Sequence, residues 1–194
     1  MPKGRDIASM LRPLSEKPIQ AFFGEGLHTL GLLSWILQQT GRADVWVSSY
    51  STSEPFLSGF YLLSRKGLVR HSMLLLDQRA ARKTLKLETL MANAFEHVML
   101  GQNHSKILLV HNDKWNVAVV TSQNQTYGAR AESTIITTDC EVFDTLMQEY
   151  TGICGKGAVE IDIAHGRGII TGSGGTGAAA DDAAADFRPF GIEW

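Results

Sequence analysis

The chain has 194 residues, 44% hydrophobic and 20% charged, with a formal charge of −2. Such a composition fits one globular domain with a substantial core and excludes a disordered or fibrous chain. Cys140 and Cys154 are too few for a metal framework and read as reduced structural thiols. No run of eighteen apolar residues occurs, and the N-terminal stretch lacks the apolar core of a signal peptide, so the expectation is a soluble, cytoplasmic protein with no membrane segment.

In chain order, "PIQAFF" reads as a short strand, and "EGLHTLGLLSWILQQT" as a helix with Leu27, Leu30, Leu33, Ser34 and Leu37 at helical spacing, ended by Gly41. "ADVWVSSY" is rich in β-formers and predicts a strand. "SEPFLSGFYLLSRKG" predicts a helix opened by Ser53 and Pro55 and closed by Gly67. "LVRHSMLLLD" is a strand, "ARKTLKLETLMANAF" a helix with a basic face, and "HVML" another short strand. Two apolar runs inside "GQNHSKILLVHNDKWNVAVVTSQNQ" form a hairpin turning at Asn112-Asp113-Lys114. "ESTIITT" is the next strand, and "CEVFDTLMQEYTGI" a helix with Val142, Phe143, Leu146 and Tyr150 on one side. Strands alternating with helices predict an α/β fold, a mixed β-sheet sandwiched between helices, over residues 1–165. Residues 166–194 are a Gly/Ala-rich, weakly acidic linker with an aromatic end, "FRPFGIEW". "GSGGTG" is not a P-loop, because no Lys-Ser/Thr pair follows it.

Side chains alternate faces along a strand. A three-residue turn at 112–114 pairs His111 with Trp115, sets His104 opposite Ser122 and makes Asn124 a diagonal neighbour. His104, Lys106, Ser122 and Asn124 then share one face at one end of the hairpin; a slip of one residue separates them. An imidazole, an ammonium, a hydroxyl and an amide together suit a phosphate diester. Lys106 and Asn124 would hold the non-bridging oxygens, and His104 would attack phosphorus near neutral pH. No carboxylate cluster accompanies them, so neither a two-metal site nor any other cofactor is expected.

"HSKILLV" followed by "TSQN" resembles the H-x-K-x4-D-x6-G-S-x-N signature of the phospholipase D superfamily. The preceding "LSRKGLVRHSMLLLD" resembles its helix-Gly-strand-Asp unit, and Glu132 resembles the acidic residue that follows the motif. The resemblance covers roughly residues 40–150. His111 stands where the pattern has Asp, Asp113 lies two further on, and Thr121 replaces the Gly. Members use two H-x-K motifs in a pseudo-twofold site, whereas this chain has one. The resemblance therefore implies a homodimer with His104 of each chain at the axis, Glu132 orienting the imidazole, and a metal-independent nuclease activity on DNA.

The alternative is a nucleic-acid-binding or assembly module of the same fold whose catalytic site has decayed, and a lipase is a third reading. Arg79, Arg82, Lys83 and Lys86 follow the third strand, where α/β sheets carry ligand-facing loops, and are candidates for phosphate-backbone contacts; a solvated helix face explains them equally well. His28, His71, His97 and His165 fit no constellation and read as structural or exposed. Trp35, Trp46 and Trp115 read as core or interface residues. Phe187, Phe190 and Trp194 make the 176–194 segment a candidate docking peptide, for its own domain, a second protomer or another protein.

Overall fold

Apolar runs rich in Val, Ile and Leu form the strands, and segments with apolar residues three and four apart form the helices that cover them. The structure is a computed structural model and describes residues 7–80, 85–125 and 130–161. The chain runs β1 (Ile19–Gly24), α1 (Thr29–Thr40), β2 (Ala43–Ser49), α2 (Glu54–Arg65), β3 (Val69–Asp77), α3 (Glu88–Ala94), β4 (His97–Gly101), β5 (Ile107–Asn112), β6 (Trp115–Thr121), β7 (Glu132–Thr137), α4 (Cys140–Gly155) and β8 (Val159–Glu160). All eight strands form one sheet in the order β1-β7-β6-β5-β2-β3-β4-β8. β2, β3 and β4 are parallel and the remaining pairs antiparallel. The expected α/β fold with a mixed sheet is thus the one observed.

β2 lies between β5 and β3 and is buried along its whole length. On one face, Leu33, Ile36 and Leu37 of α1, Phe56, Leu57 and Phe60 of α2 and Met91 of α3 pack against Val45, Val47, Leu74 and Leu108. On the other face, Phe143, Met147, Tyr150 and Cys154 of α4 cover Trp46, Met73, Leu75 and Leu109. Each large apolar side chain buried in this way contributes about 1.5–3 kcal/mol by leaving water. Tyr150 also donates its hydroxyl to Val47 O at 3.3 Å, and burial raises both its pKa and that of Cys154, the latter to about 12. α4 is capped by Asp139, which accepts from Val142 N at 3.1 Å. Gly41 (φ 79°) and Gly67 (φ 73°) close α1 and α2 in the left-handed region that favours glycine.

Four local expectations are corrected. The helix expected over residues 81–95 is a 3-10 turn at Leu85–Leu87 followed by the short α3, with residues 81–84 outside the described set. Val142 is 42% exposed, and Met147 and Cys154 take the buried stripe of α4 together with Phe143 and Tyr150. Ser53 stands at the start of α2 without capping it, because its hydroxyl donates to Gln125 O at 2.9 Å. The hairpin turn has two residues, Asp113 and Lys114, so His111 pairs with Asn116 and Asn112 with Trp115. The cause is the Asn112 side chain. Its Oδ1 accepts from Lys114 N and Trp115 N, both at 3.0 Å, and its amide donates to Thr40 O and Arg42 O, which holds Asn112 as the last paired residue. The expected linker and docking segment, residues 166–194, lies outside the described residues, as does His165.

Candidate active site

β2, β3 and β4 run parallel and finish at one end of the sheet, where β5 and β7 begin and β6 finishes. Tyr50, Asp77, the segment Asn103–Lys106, Ser122–Gln125 and Glu132 are therefore gathered at that end by topology alone. This is where open α/β sheets place ligands.

His104 is exposed, just ahead of β5. The Lys106 ammonium donates to His104 O at 2.7 Å and lies 3.3 Å from His104 Nδ1. The Tyr50 ring sits 5.3 Å from the imidazole, tilted by 58°. Partial burial lowers the Lys106 pKa, and the charge of Glu132 opposes that shift. Lys106 is thus a partly desolvated cation placed against the His104 carbonyl and ring nitrogen.

Ser122 and Glu132 form a second pair: the Ser122 hydroxyl donates to Glu132 Oε2 and accepts from Ser133 N at 3.0 Å. Ser122 N also donates to Ser133 O. The serine is consequently held by β7, not by the hairpin partner assumed from sequence. With the register shifted by one, Thr121 N donates to Lys106 O, and Ser122 lies beyond the last β5–β6 pair. Glu132 is engaged by Ser122, and the described ring contacts of His104 are with Lys106 and Tyr50. Asn124 is half-buried, and its Oδ1 is buried with no hydrogen-bond partner among the described residues. The same is true of Thr52 Oγ1 and both polar atoms of the Gln125 side chain.

Two positions that depart from the motif also find places. His111 donates from Nδ1 to Asn116 Oδ1 at 2.6 Å and packs near Phe143, at the far end of the hairpin, and Asp113 is in the exposed turn there. Neither belongs to the site. Thr121 uses its hydroxyl internally, donating to Ser133 O at 3.1 Å and bonding Thr134 Oγ1 at 2.9 Å.

Beneath His104 lies a buried polar network that the sequence reading missed. Asp77 accepts from Arg79 N at 2.7 Å and from Asn103 N at 2.9 Å. The Asn103 amide donates to Ser48 Oγ at 2.9 Å and Ser49 O at 3.2 Å, and its Oδ1 accepts from Ser105 N and Ser105 Oγ. Ser48 and Ser105 join their hydroxyls at 2.6 Å. The residues on both sides of His104 are thereby pinned to the ends of β2 and β3. The available signal was the polar residues closing otherwise apolar strands, Ser48 and Asp77.

Of the four basic candidates, Arg79 and Lys86 are described and exposed. Arg79 follows β3 at the site end, and Lys86 lies in the 3-10 turn before α3. Arg82 and Lys83 lie outside the described residues. Among the described residues, no group of three or more His, Cys, Asp or Glu is placed to hold a metal ion, and no helix is long and apolar enough to cross a membrane.

No family model and no curated protein matches the sequence. Solved structures do match the fold. The phospholipase D family member Nuc from Salmonella typhimurium superposes with a TM-score of 0.54 at 15% identity, covering 70% of this chain and 93% of that one. Polyphosphate kinase from Porphyromonas gingivalis superposes with a TM-score of 0.56 at 11% identity, covering 74% of this chain and 27% of that one. The eight-stranded mixed sheet with helices on both faces is a phospholipase D-like fold.

Proposed function

We propose that the protein is a metal-independent phosphodiesterase, a nuclease cleaving DNA through a phosphohistidine on His104 in a homodimeric site. The observation that carries this reading is the pairing of an exposed imidazole with a partly desolvated ammonium, Lys106, whose described hydrogen-bond partners are the His104 ring nitrogen and carbonyl. An arriving phosphate diester offers Lys106 an anionic acceptor, and charge-assisted bonds are stronger than those to neutral groups. The ammonium then leaves the His104 ring and carbonyl, and the freed imidazole faces phosphorus. Names of the structures with this fold point the same way, toward chemistry at phosphorus.

In the first step an imidazole nitrogen of His104 forms a bond to phosphorus, and the bond from phosphorus to the leaving sugar oxygen breaks. His104 of the partner subunit supplies the proton to that oxygen. In the second step the partner subunit's His104, left neutral by the first, takes a proton from water, the water oxygen attacks phosphorus, and the bond from phosphorus to the nucleophilic His104 breaks to leave a phosphate monoester. Lys106 and Asn124 hold non-bridging oxygens as charge builds on them; Asn124 Oδ1, without a partner among the described residues, lies beside an amide nitrogen suited to that role. Ser122 and Glu132 fix the β6–β7 side of the site through their mutual hydrogen bond. Arg79, Lys86, Arg82 and Lys83 are the proposed contacts to the nucleic-acid backbone.

The test is incubation of plasmid and single-stranded DNA with the protein in EDTA, beside His104→Ala. Cleavage that persists in EDTA and vanishes in the variant supports the reading, and cleavage that strictly requires a divalent cation overturns it. A second reading, a nucleic-acid-binding or assembly module with a decayed site, is favoured by one observation: Glu132 is bound to Ser122 and not to His104. Wild-type protein that shifts DNA on a gel but cleaves nothing selects it.

A further inference from the structure

Tyr50 is the first residue past the end of β2, and its half-buried ring meets the imidazole of His104. The ring centroids lie 5.3 Å apart with the planes tilted by 58°, a separation and tilt that favour aromatic pairs. Both rings stand on backbone that is fastened. The buried Asn103 amide donates to Ser49 O at 3.2 Å and to Ser48 Oγ at 2.9 Å, so one side chain ties the residue before His104 to the residue before Tyr50. The chain around Tyr50 is held again from the other side. Ser49 Oγ donates to Ser51 O at 2.8 Å and accepts from Gln125 N at 3.1 Å. Thr52 pairs with Gln125 in a parallel bridge, and Ser53 Oγ donates to Gln125 O at 2.9 Å.

We infer that Tyr50 is a positioning residue: its ring fixes the plane of the His104 imidazole and thereby sets the rate at which that imidazole attacks phosphorus. The inference rests on the proposed role of His104 as nucleophile, although the ring contact itself is measurable without catalysis. An exposed side chain such as His104 keeps rotamer freedom that it must give up in order to react. Its described polar ring contact is with the Lys106 ammonium, 3.3 Å from Nδ1, and Lys106 gives that contact up when it turns to a phosphate. The Tyr50 contact is ring against ring and uses no hydrogen bond, so it persists through that exchange. Because the ring makes the contact, phenylalanine should serve as well as tyrosine. Leucine keeps apolar bulk but loses the aromatic face.

The experiment uses the full chain with histidine carrying carbon-13 at Cε1, read by NMR, the His104 signal being the one lost in His104→Ala. Expected in the wild type are an Overhauser contact between the Tyr50 and His104 rings and relaxation that reports an ordered imidazole. Tyr50→Leu should lower the order of the His104 ring with circular dichroism unchanged, and Tyr50→Phe should retain it. In cleavage assays in EDTA, Tyr50→Leu should lower kcat roughly tenfold at unchanged KM, and Tyr50→Phe should keep the wild-type kcat. Four results each overturn the inference: no Overhauser contact, an imidazole equally ordered in Tyr50→Leu, an unchanged kcat in that variant, or equal losses in the leucine and phenylalanine variants. If Tyr50→Leu does not fold, the wild-type contact and the Tyr50→Phe comparison decide. A wild type that cleaves nothing overturns the nucleophile reading instead, and the ring measurements then uphold or overturn the positioning by themselves.

Discussion

The two ends of the central sheet differ in how completely their described polar side chains are paired. At the hairpin-turn end, Asp44 accepts from Nε and Nη2 of Arg70, at 2.8 and 2.7 Å, as well as from His71 N at 3.2 Å. Asn112 there makes four hydrogen bonds. At the other end, Lys106 is partly desolvated beside the His104 ring and carbonyl, and Asn124 Oδ1, Thr52 Oγ1 and the Gln125 amide are buried without partners among the described residues. An unsatisfied buried polar group costs about 1–3 kcal/mol. Among the described residues, the site end thus combines a satisfied network around Asn103 with side chains that keep hydrogen-bonding capacity to spare.

Substitutions at the two ends should therefore separate activity from stability. The largest expected effect is in His104→Ala, which should reduce cleavage to background while leaving the melting temperature unchanged, because the side chain is exposed; a calorimetric scan beside a cleavage assay checks both. Lys106→Met should lower cleavage at least ~100-fold, the scale of losing one transition-state donor, and should also raise the melting temperature at pH 7. The sign follows from its lowered folded-state pKa. The unfolded chain holds the proton more tightly, so Lys106 opposes folding over the range where it is charged, and that opposition is relieved as the pH rises toward the ordinary lysine value. A fall in melting temperature would mean that Lys106 is a structural cation.

Asn103→Ala should affect both properties, costing about 1–3 kcal/mol of stability by orphaning its buried partners and slowing cleavage by loosening His104. Asn103→Asp keeps the acceptor for Ser105 but loses the donors to Ser48 and Ser49, so it should recover only part of the loss. Arg70→Ala gives the converse case: a destabilisation of about 1–3 kcal/mol from leaving Asp44 buried, with cleavage by the folded fraction unchanged. The smallest effect concerns pH. The Cys154 thiol is raised to about 12 in the folded state, so its neutral form favours folding below the ordinary thiol value, and that contribution is lost as pH rises toward 12. Cys154→Ala should flatten this part of the alkaline unfolding curve.

The strands were legible because their apolar runs are long and bounded by Gly, Pro or polar residues, and α1, α2 and α4 because their buried stripes repeat at helical spacing. β8 was not, since the two residues Val159–Glu160 carry no periodicity and are defined only by pairing with β4. The hairpin register failed by one residue because the Asn112 side chain, not the turn length, fixes the last pair. His104 and Lys106 stood out through their spacing in sequence. The network beneath them did not, because Asn103 meets Asp77 and Ser48 across 26 and 55 residues of chain, and no local pattern encodes such a contact.

The central proposal, that the site end of the sheet performs chemistry at phosphorus through His104, is tested most directly by trapping the intermediate. Wild-type protein is mixed with DNA in EDTA for a single turnover, quenched in alkali and digested for mass spectrometry. The account predicts a phosphorus-linked adduct on the peptide carrying His104, absent from His104→Ala. Cleavage that proceeds with no adduct on that peptide, or with the adduct on another residue, would contradict it.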